Sequence, residues 1–325
     1  MINWGIIGLG NMANQFANAI NEVEDAKLIA VASRSKYKLE NFHKNFKIEK
    51  KNLFQNYKDI INCRDLDAVY ISTLNNTHFE LIKFLSDTKI KIFCEKPFVI
   101  NHDEAKEVAL KITKNQNNFF EAIAYRAHPQ TNKILEIINN DEIGEIKKIT
   151  SNFGFKVRKI RKKSRLFNKE IGGGVLLDLG CYPISFARLF LNNNSKIDIN
   201  KVNGSLSFTG VEDHAELKGS INEKIEIEFK ISFRENMENC CMIYGSKGTL
   251  KVPSPWLPEK KTYVEIIKQN SYYKKFISCN KSVYANQIDL VSNEFLNNNK
   301  FKVSLVGIDE SLEISNTLSQ WRSLI

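Results

Sequence analysis

At 325 residues the chain exceeds the usual span of one hydrophobic core, so two domains are expected. A 42% hydrophobic composition that includes 21 Phe excludes a disordered protein. The formal net charge of +10 is carried by Lys scattered along the chain, which marks a solvated surface and says little about fold. Six cysteines, at 63, 94, 181, 240, 241 and 279, form no C-x-x-C pair and no metal-ligand spacing, and several sit in apolar runs, where Cys acts as a small hydrophobe. The first residues run straight into a strand pattern without a basic leader, and no apolar run reaches the roughly 20 residues that a membrane helix needs. These features predict a cytoplasmic protein with no disulfide framework, no metal and no membrane partner.

Residues 2–7 form a short apolar run, followed by Gly8-Leu9-Gly10-Asn11-Met12-Ala13 and a helical pattern to about Ile20. This is G-x-G-x-x-A between a strand and a helix. Gly8 allows the tight turn, Gly10 lets the backbone approach a pyrophosphate, and Ala13 permits close helix–strand packing. The helix N-terminus supplies positive potential to the phosphates. Strands at 27–32, 67–72, 90–94 and 119–124 then alternate with helices at 36–46, 77–87 and 102–114. Such alternation builds a parallel, doubly wound sheet whose ligands sit at the strands' carboxyl ends. Residues 1–122 are therefore expected to form a Rossmann domain.

The strand ends name candidate residues. After the second strand the chain reads Ala32-Ser33-Arg34-Ser35-Lys36-Tyr37-Lys38, with no acid for the ribose 2′-hydroxyl of NAD. Ser33, Arg34 and Lys38 suit the 2′-phosphate of NADP, so NADP is favoured and NAD stays possible. The fourth strand ends in Thr73-Leu74-Asn75-Asn76-Thr77-His78, and the fifth in Glu95-Lys96-Pro97; both should border the nicotinamide. His78, in the first turn of a helix, reads as a cofactor-lining or capping residue. A lysine fixed before a proline at a strand's carboxyl end is poorly placed for a solvated role, which makes Lys96 a site candidate.

From about residue 145 onward strand signals dominate, at 145–155, 197–208, 225–233, 239–244, 248–252 and 262–268, with helices at 174–191, 283–297 and 308–323. In 225–233 the apolar Ile225, Ile227, Phe229, Ile231 and Phe233 alternate with polar residues, as in a half-buried antiparallel sheet whose other face meets solvent or a partner. Asn192–Asn194 and Asn297–Asn299 fall at expected helix ends, where Asn tolerates the left-handed conformation. The run from Lys156 to Arg165 is a solvated loop or an anion site; lacking interleaved aromatics, it does not suit nucleic acid. Gly172-Gly173-Gly174 opens an apolar helix that carries Asp178 and Tyr182 four residues apart, on one face. By itself that pair is either a satisfied core hydrogen bond or a catalytic pair.

With Gly8–Ala13, Glu95-Lys96-Pro97, Tyr125-Arg126-Ala127-His128-Pro129, Gly172–Gly174 with Asp178 and Tyr182-Pro183, and Gly245-Ser-Lys-Gly248 in this order, the whole chain resembles the Gfo/Idh/MocA oxidoreductases. The resemblance implies a C-terminal α/β domain, residues 123–325, with a large, open, mostly antiparallel sheet that commonly forms a homodimer or homotetramer interface. It implies that Lys96 lies against the nicotinamide and that Asp178 and Tyr182 face a sugar or polyol substrate. Tyr at 182, where many members carry His, looks like the branch of glucose–fructose oxidoreductase, xylose dehydrogenase and dihydrodiol dehydrogenase, which often uses NADP.

A nicotinamide enzyme acting on an alcohol or ketone needs a proton donor or acceptor at the carbonyl oxygen. Tyr182 fits, but a free phenol titrates at about 10 and requires a cation to favour the phenolate. Lys96 is the cation the motifs supply. Asp178 would hold a neighbouring substrate hydroxyl, and the glycines would leave room for cofactor and substrate. Arg126 is expected to anchor the domain junction and the cofactor edge, and Arg165 to reach a cofactor phosphate or the substrate. Two other readings are a non-catalytic NAD(P)-binding regulator and an NAD-assisted glycosidase.

Overall fold

The structure, a computed structural model, describes residues 1–191, 196–297 and 305–325. Asn192–Asn194, Asn298 and Asn299 lie outside the described residues. In chain order the first part gives β1 (Ile2–Ile7), α1 (Asn11–Ala19), β2 (Ala26–Ala32), α2 (Lys36–Phe46), β3 (Leu53–Phe54), β4 (Ala68–Ile71), α3 (His78–Leu85), β5 (Lys91–Glu95), α4 (His102–Lys114) and β6 (Phe119–Ala122). There follow α5 (Pro129–Asn139), β7 (Ile146–Gly154), α6 (Cys181–Arg188), β8 (Ile197–Leu206), β9 (Glu212–Ile221), β10 (Ile225–Ser232), β11 (Cys240–Gly245), β12 (Thr249–Pro253), β13 (Lys261–Lys268), β14 (Ser271–Ser278), α7 (Val283–Asn297), β15 (Val306–Gly307) and α8 (Ile308–Ser323).

Two compact units result: Met1–Ala127 with Lys281–Leu312, and His128–Asn280 with Glu313–Ile325. The single boundary expected at 122/123 is thus replaced by three crossings. The reason is hydrophobic burial. Ala285, Ile288, Val291 and Phe295 of α7 join Trp4, Phe16 and Phe93 in one core, so this helix completes the first unit. Trp4 Nε1 donates to Ser292 Oγ of α7 at 3.1 Å, which satisfies the buried indole N–H.

The first unit's sheet runs β15-β6-β5-β4-β1-β2-β3, parallel except for the added edge strand β15. Strand order reverses between β1 and β4, and that switch point is where a doubly wound sheet receives its ligand. The second unit holds an eight-stranded sheet, β14-β13-β12-β11-β7-β10-β9-β8, antiparallel except for β7 beside β10. Ile227, Phe229 and Ile231 of β10 are buried on one face, while across the other Lys148 and Lys218 both reach Glu228 at 3.0 Å.

Two strands of this sheet left little trace in the sequence pattern. In β9 the buried Ala215, Leu217 and Ile221 are separated by charged residues and Gly219, and β14 is an edge strand whose side chains are mostly exposed. The helix α5, flagged only by Pro129 at its start, packs beneath β13 and β14. The expected helix 174–191 is also modified: Leu176–Gly180 winds as a π segment before α6. Pro183 has no N–H to return to the preceding turn and its ring crowds that turn, and a widened turn upstream absorbs the mismatch. Among the described residues no helix is long and apolar enough to cross a membrane.

Candidate active site

The glycine turn of the first unit is built from backbone. Gly8 has φ +90°, and a Cβ there would lie 2.6 Å from Thr73 Cγ2, so only glycine fits between the turns that follow β1 and β4. Its N–H donates to the Ala32 carbonyl at 2.9 Å, and its carbonyl accepts from Ser72 Oγ at 2.8 Å. Gly10, the residue capping α1, faces open space: the nearest atom to a Cβ there would be 4.0 Å away. No side chain caps α1 and no acid stands in its first turn, whereas Ser35, Asn101 and His128 cap α2, α4 and α5. Free N–H groups at Asn11 and Met12, with room before them, fit a pyrophosphate. Leu9 buries its side chain in the core, which leaves its backbone to face a ligand.

At the end of β2 the expected residues separate. Ser33 is buried and its Oγ accepts the Ser35 N–H at 3.2 Å, so the hydroxyl holds the turn. Arg34 is exposed, with its guanidinium 4.9 Å above the Tyr57 ring, and Lys38 is exposed in the first turn of α2. These two cations, rather than Ser33, are the ones available to a 2′-phosphate.

After β4, Leu74 and Asn76 are exposed, Thr73 and Asn75 half-buried, and Thr77 Oγ1 donates to Thr73 Oγ1 at 2.6 Å. His78 is a correction: it is fully buried and has no surface for a cofactor. Its Nδ1 lies 2.9 Å from the Pro97 carbonyl, so Nδ1 carries the proton and the ring ties the Lys96-Pro97 turn to α3. Burial pushes its pKa down to about 4, despite the favourable bonds to Pro97 and Thr73. Arg126 is likewise buried and spans both carboxylate oxygens of Glu310, at 3.0 and 2.9 Å, which anchors it within its own unit.

Three residues around Lys96 were not anticipated. The Tyr70 hydroxyl donates to Glu95 Oε1, and Tyr284 of α7 lies within the field of Glu95 and Lys96. Glu121, beside Cys94 across the β5–β6 ladder, accepts the Phe98 N–H at 3.1 Å. Burial raises its pKa to about 7 against the opposing effects of its hydrogen bonds and Lys96. The signal was present as an acid inside the apolar Phe-Phe-Glu-Ala-Ile-Ala run.

In the second unit the site is built from side chains. Asp178, 11% exposed at its side chain and inside the π segment, accepts from Arg165 Nη1 at 2.9 Å. Tyr182, one turn on, packs its ring against Phe153 (5.4 Å, edge-on) and Trp256 (5.6 Å), and its carbonyl accepts from Ser185 Oγ. The aromatic wall fixes the phenol's direction. Gly173 and Gly174 do not leave room for ligands, which corrects that expectation for these two glycines. A Cβ at Gly173 would lie 2.8 Å from the Asn168 backbone, and one at Gly174, where φ is +117°, would collide with Glu212 Oε2. Glu212 is itself held by Arg322 Nε at 2.6 Å. His128, also buried, accepts the Gln130 N–H at Nδ1 and meets Cys279 Sγ through Nε2 at 3.3 Å, with its pKa lowered to about 4 by burial.

A glycine turn leading into an uncapped helix at the switch point of a parallel sheet defines a dinucleotide-binding protein. Comparison with known proteins narrows this. The oxidoreductase family with an NAD-binding Rossmann fold, Gfo/Idh/MocA, matches residues 2–123, and the family's C-terminal domain matches 131–251. The chain belongs to the Gfo/Idh/MocA oxidoreductase family. It is 28% identical over 258 residues to the trans-1,2-dihydrobenzene-1,2-diol dehydrogenase of Xenopus tropicalis, covering 78% of this chain and 76% of that one. An aldose–aldose oxidoreductase from Caulobacter crescentus superposes with a TM-score of 0.89 at 18% identity, over 99% of this chain and 97% of that one. A 3-ketoreductase from Actinomadura kijaniata, solved with NADP and TDP-benzene, gives 0.87 at 20% identity with the same coverage.

Proposed function

We propose that this protein is an NADP-linked dehydrogenase or reductase acting on a hydroxyl or carbonyl carbon of a sugar, ketosugar or cyclic polyol. The observation that carries the reading is the π-bulged helix, where a buried, ion-paired carboxylate (Asp178) and an aromatic-walled phenol (Tyr182) stand one turn apart. The names of the relatives, a diol dehydrogenase, an aldose oxidoreductase and a ketoreductase that binds NADP, support the same chemistry.

The turn from Gly8 to Met12 would hold the cofactor's pyrophosphate, Arg34 and Lys38 its 2′-phosphate, and Thr73–Asn76 with Glu95 and Lys96 would line the nicotinamide. Bound there, the nicotinamide supplies or accepts the hydride. Tyr182 protonates the forming alkoxide in reduction and takes the hydroxyl proton in oxidation, with Lys96 as the cation that favours the phenolate. Asp178, as a carboxylate an acceptor only, holds a neighbouring substrate hydroxyl, and Arg165 orients it. A homodimer or homotetramer through the open sheet face and a cytoplasmic setting belong to the same reading; Tyr244, Tyr272 and Phe276 stand exposed on that face, and light scattering sizes the assembly.

The test is a screen of aldoses, polyols and ketosugars with NADP(H) and NAD(H). Stoichiometric cofactor oxidation or reduction is expected. Product formed without net cofactor change would indicate cofactor-assisted cleavage instead, and cofactor binding without any turnover a regulator.

A further inference from the structure

The basic loop between β7 and the π-bulged helix is left unused by the reading above. From Ile146 to Lys169 the chain has no Asp or Glu, and seven cations crowd into Lys156–Arg165. All seven are exposed. Both ends of the loop are pinned to one buried residue: Phe155 and Phe167 pack on Phe233 at 5.3 and 5.6 Å, and the Val157 N–H donates to the Phe233 carbonyl at 2.8 Å. Lys156 N–H donates to Asn236 Oδ1, and Ser164 N–H closes a turn on the Arg161 carbonyl. The loop is thus an anchored element that presents Arg158, Lys159, Arg161, Lys162 and Lys163 outward.

A lysine-rich surface does not account for it. Elsewhere in the same unit many surface lysines sit on carboxylates, as in Lys133–Glu136, Lys147–Glu145, Lys251–Glu238 and Lys275–Glu142. In the loop only Arg165 has such a partner among the described residues, and that partner is Asp178. The one neutralised cation is therefore the one at the candidate site, and the remaining six, on the same loop, form an uncompensated positive field. Such a field concentrates anions and survives only partial salt screening. The loop's two aromatics are committed to Phe233, which leaves none to stack on bases, so a small phosphate ester fits better than a nucleic acid.

We propose that Lys156–Arg165 is the anion-binding element of the substrate site and that the substrate carries a phosphate or diphosphate ester, as a sugar phosphate or a nucleoside-diphosphate sugar. The inference rests on the oxidoreductase reading for its hydride chemistry but not for its anion.

Two measurements keep the two claims apart. In the first, glucose, glucose 6-phosphate and a nucleoside-diphosphate glucose are compared with NADP⁺, using the wild type and a variant combining Lys159→Gln, Arg161→Gln, Lys162→Gln and Lys163→Gln. A preference of roughly tenfold or more in kcat/KM for an esterified sugar is expected, arising in KM, abolished in the variant and weakened by salt. Which ester is preferred distinguishes the monophosphate from the diphosphate source. NADPH affinity should not change, since the cofactor's own phosphates are assigned to the other unit. Equal kcat/KM for neutral and esterified sugars, or a variant that retains the preference, would overturn the proposal while leaving the oxidoreductase reading intact. In the second, inorganic pyrophosphate is titrated calorimetrically into both proteins. Binding lost in the variant supports the anion site even where no sugar turns over; identical titrations, or tighter binding of a mixed-sequence oligonucleotide than of pyrophosphate, sink it.

Discussion

Gly10 in the first unit and Gly174 in the second solve opposite problems. At Gly10 the missing side chain leaves open space before the bare N–H groups of α1, and no described residue fills it. At Gly174 the missing side chain is replaced at once by the protein's own Glu212. One glycine makes a binding surface out of backbone. The other lets a buried carboxylate brace the helix that carries Asp178 and Tyr182. A glycine cluster therefore does not by itself mark a ligand cavity; what occupies the vacated volume decides.

That contrast breaks most sharply at the side chains of the second unit. Tyr182→Phe keeps the ring against Phe153 and Trp256 but removes the proposed proton carrier, so kcat should fall by roughly 10²–10⁴ while cofactor affinity and melting temperature hold. Near-normal turnover would refute the acid/base assignment. Next in size is Gly174→Ala. A left-handed backbone and a collision with Glu212 should cost about 3 kcal/mol or more in denaturant unfolding. Gly10→Ala should leave stability within about 1 kcal/mol but weaken NADPH binding. A Gly10→Ala variant that unfolds like Gly174→Ala would erase the distinction.

Titration sharpens the comparison further. His78 in the first unit and His128 in the second are both buried with pKa about 4, below the unfolded value near 6.5. Each contributes stability that is present above pH 6.5 and lost as pH falls toward 4. Glu121, found only in the first unit, runs the other way. Its folded pKa of about 7 exceeds the ordinary 4.5, so its contribution is full below pH 4.5 and lost as pH rises through 7. Glu121→Gln should therefore stabilise the protein by roughly 2 kcal/mol at pH 8 and by little at pH 5, read by urea unfolding at both values. An equal gain at both would show that the carboxyl is not held neutral. The smallest effect is expected at Arg34→Ala, which should lower NADPH affinity by about tenfold and leave NADH affinity unchanged.

Much of this was legible without coordinates. Five parallel strands of the first unit, β1, β2, β4, β5 and β6, could be read because each is a mostly apolar run, whereas the two-residue β3 is too short to leave a pattern; Gly8 and Gly10 could be read because a tight turn into a helix leaves few other choices. Strands β9 and β14 could not, since charges interrupt the buried stripe of one and the other is an edge strand that buries little. Lys96, Asp178 and Tyr182 were reached by motif and spacing. The partners that hold their surroundings, Glu121, Glu212, Glu310 and Trp256, lie far away in sequence and follow no local period.

The chain's local pattern, then, determined the doubly wound sheet, the nucleotide turn and the residue types of the candidate chemistry, because periodicity and turn stereochemistry act over a few residues. Tertiary structure decided what those residues touch. It returned α7 to the first core, spent His78 and Arg126 on internal contacts, and set Arg165 on Asp178. It also filled the glycine-opened space with Glu212. Each of these depends on which distant side chain arrives to satisfy a buried group, and no short stretch of sequence carries that information.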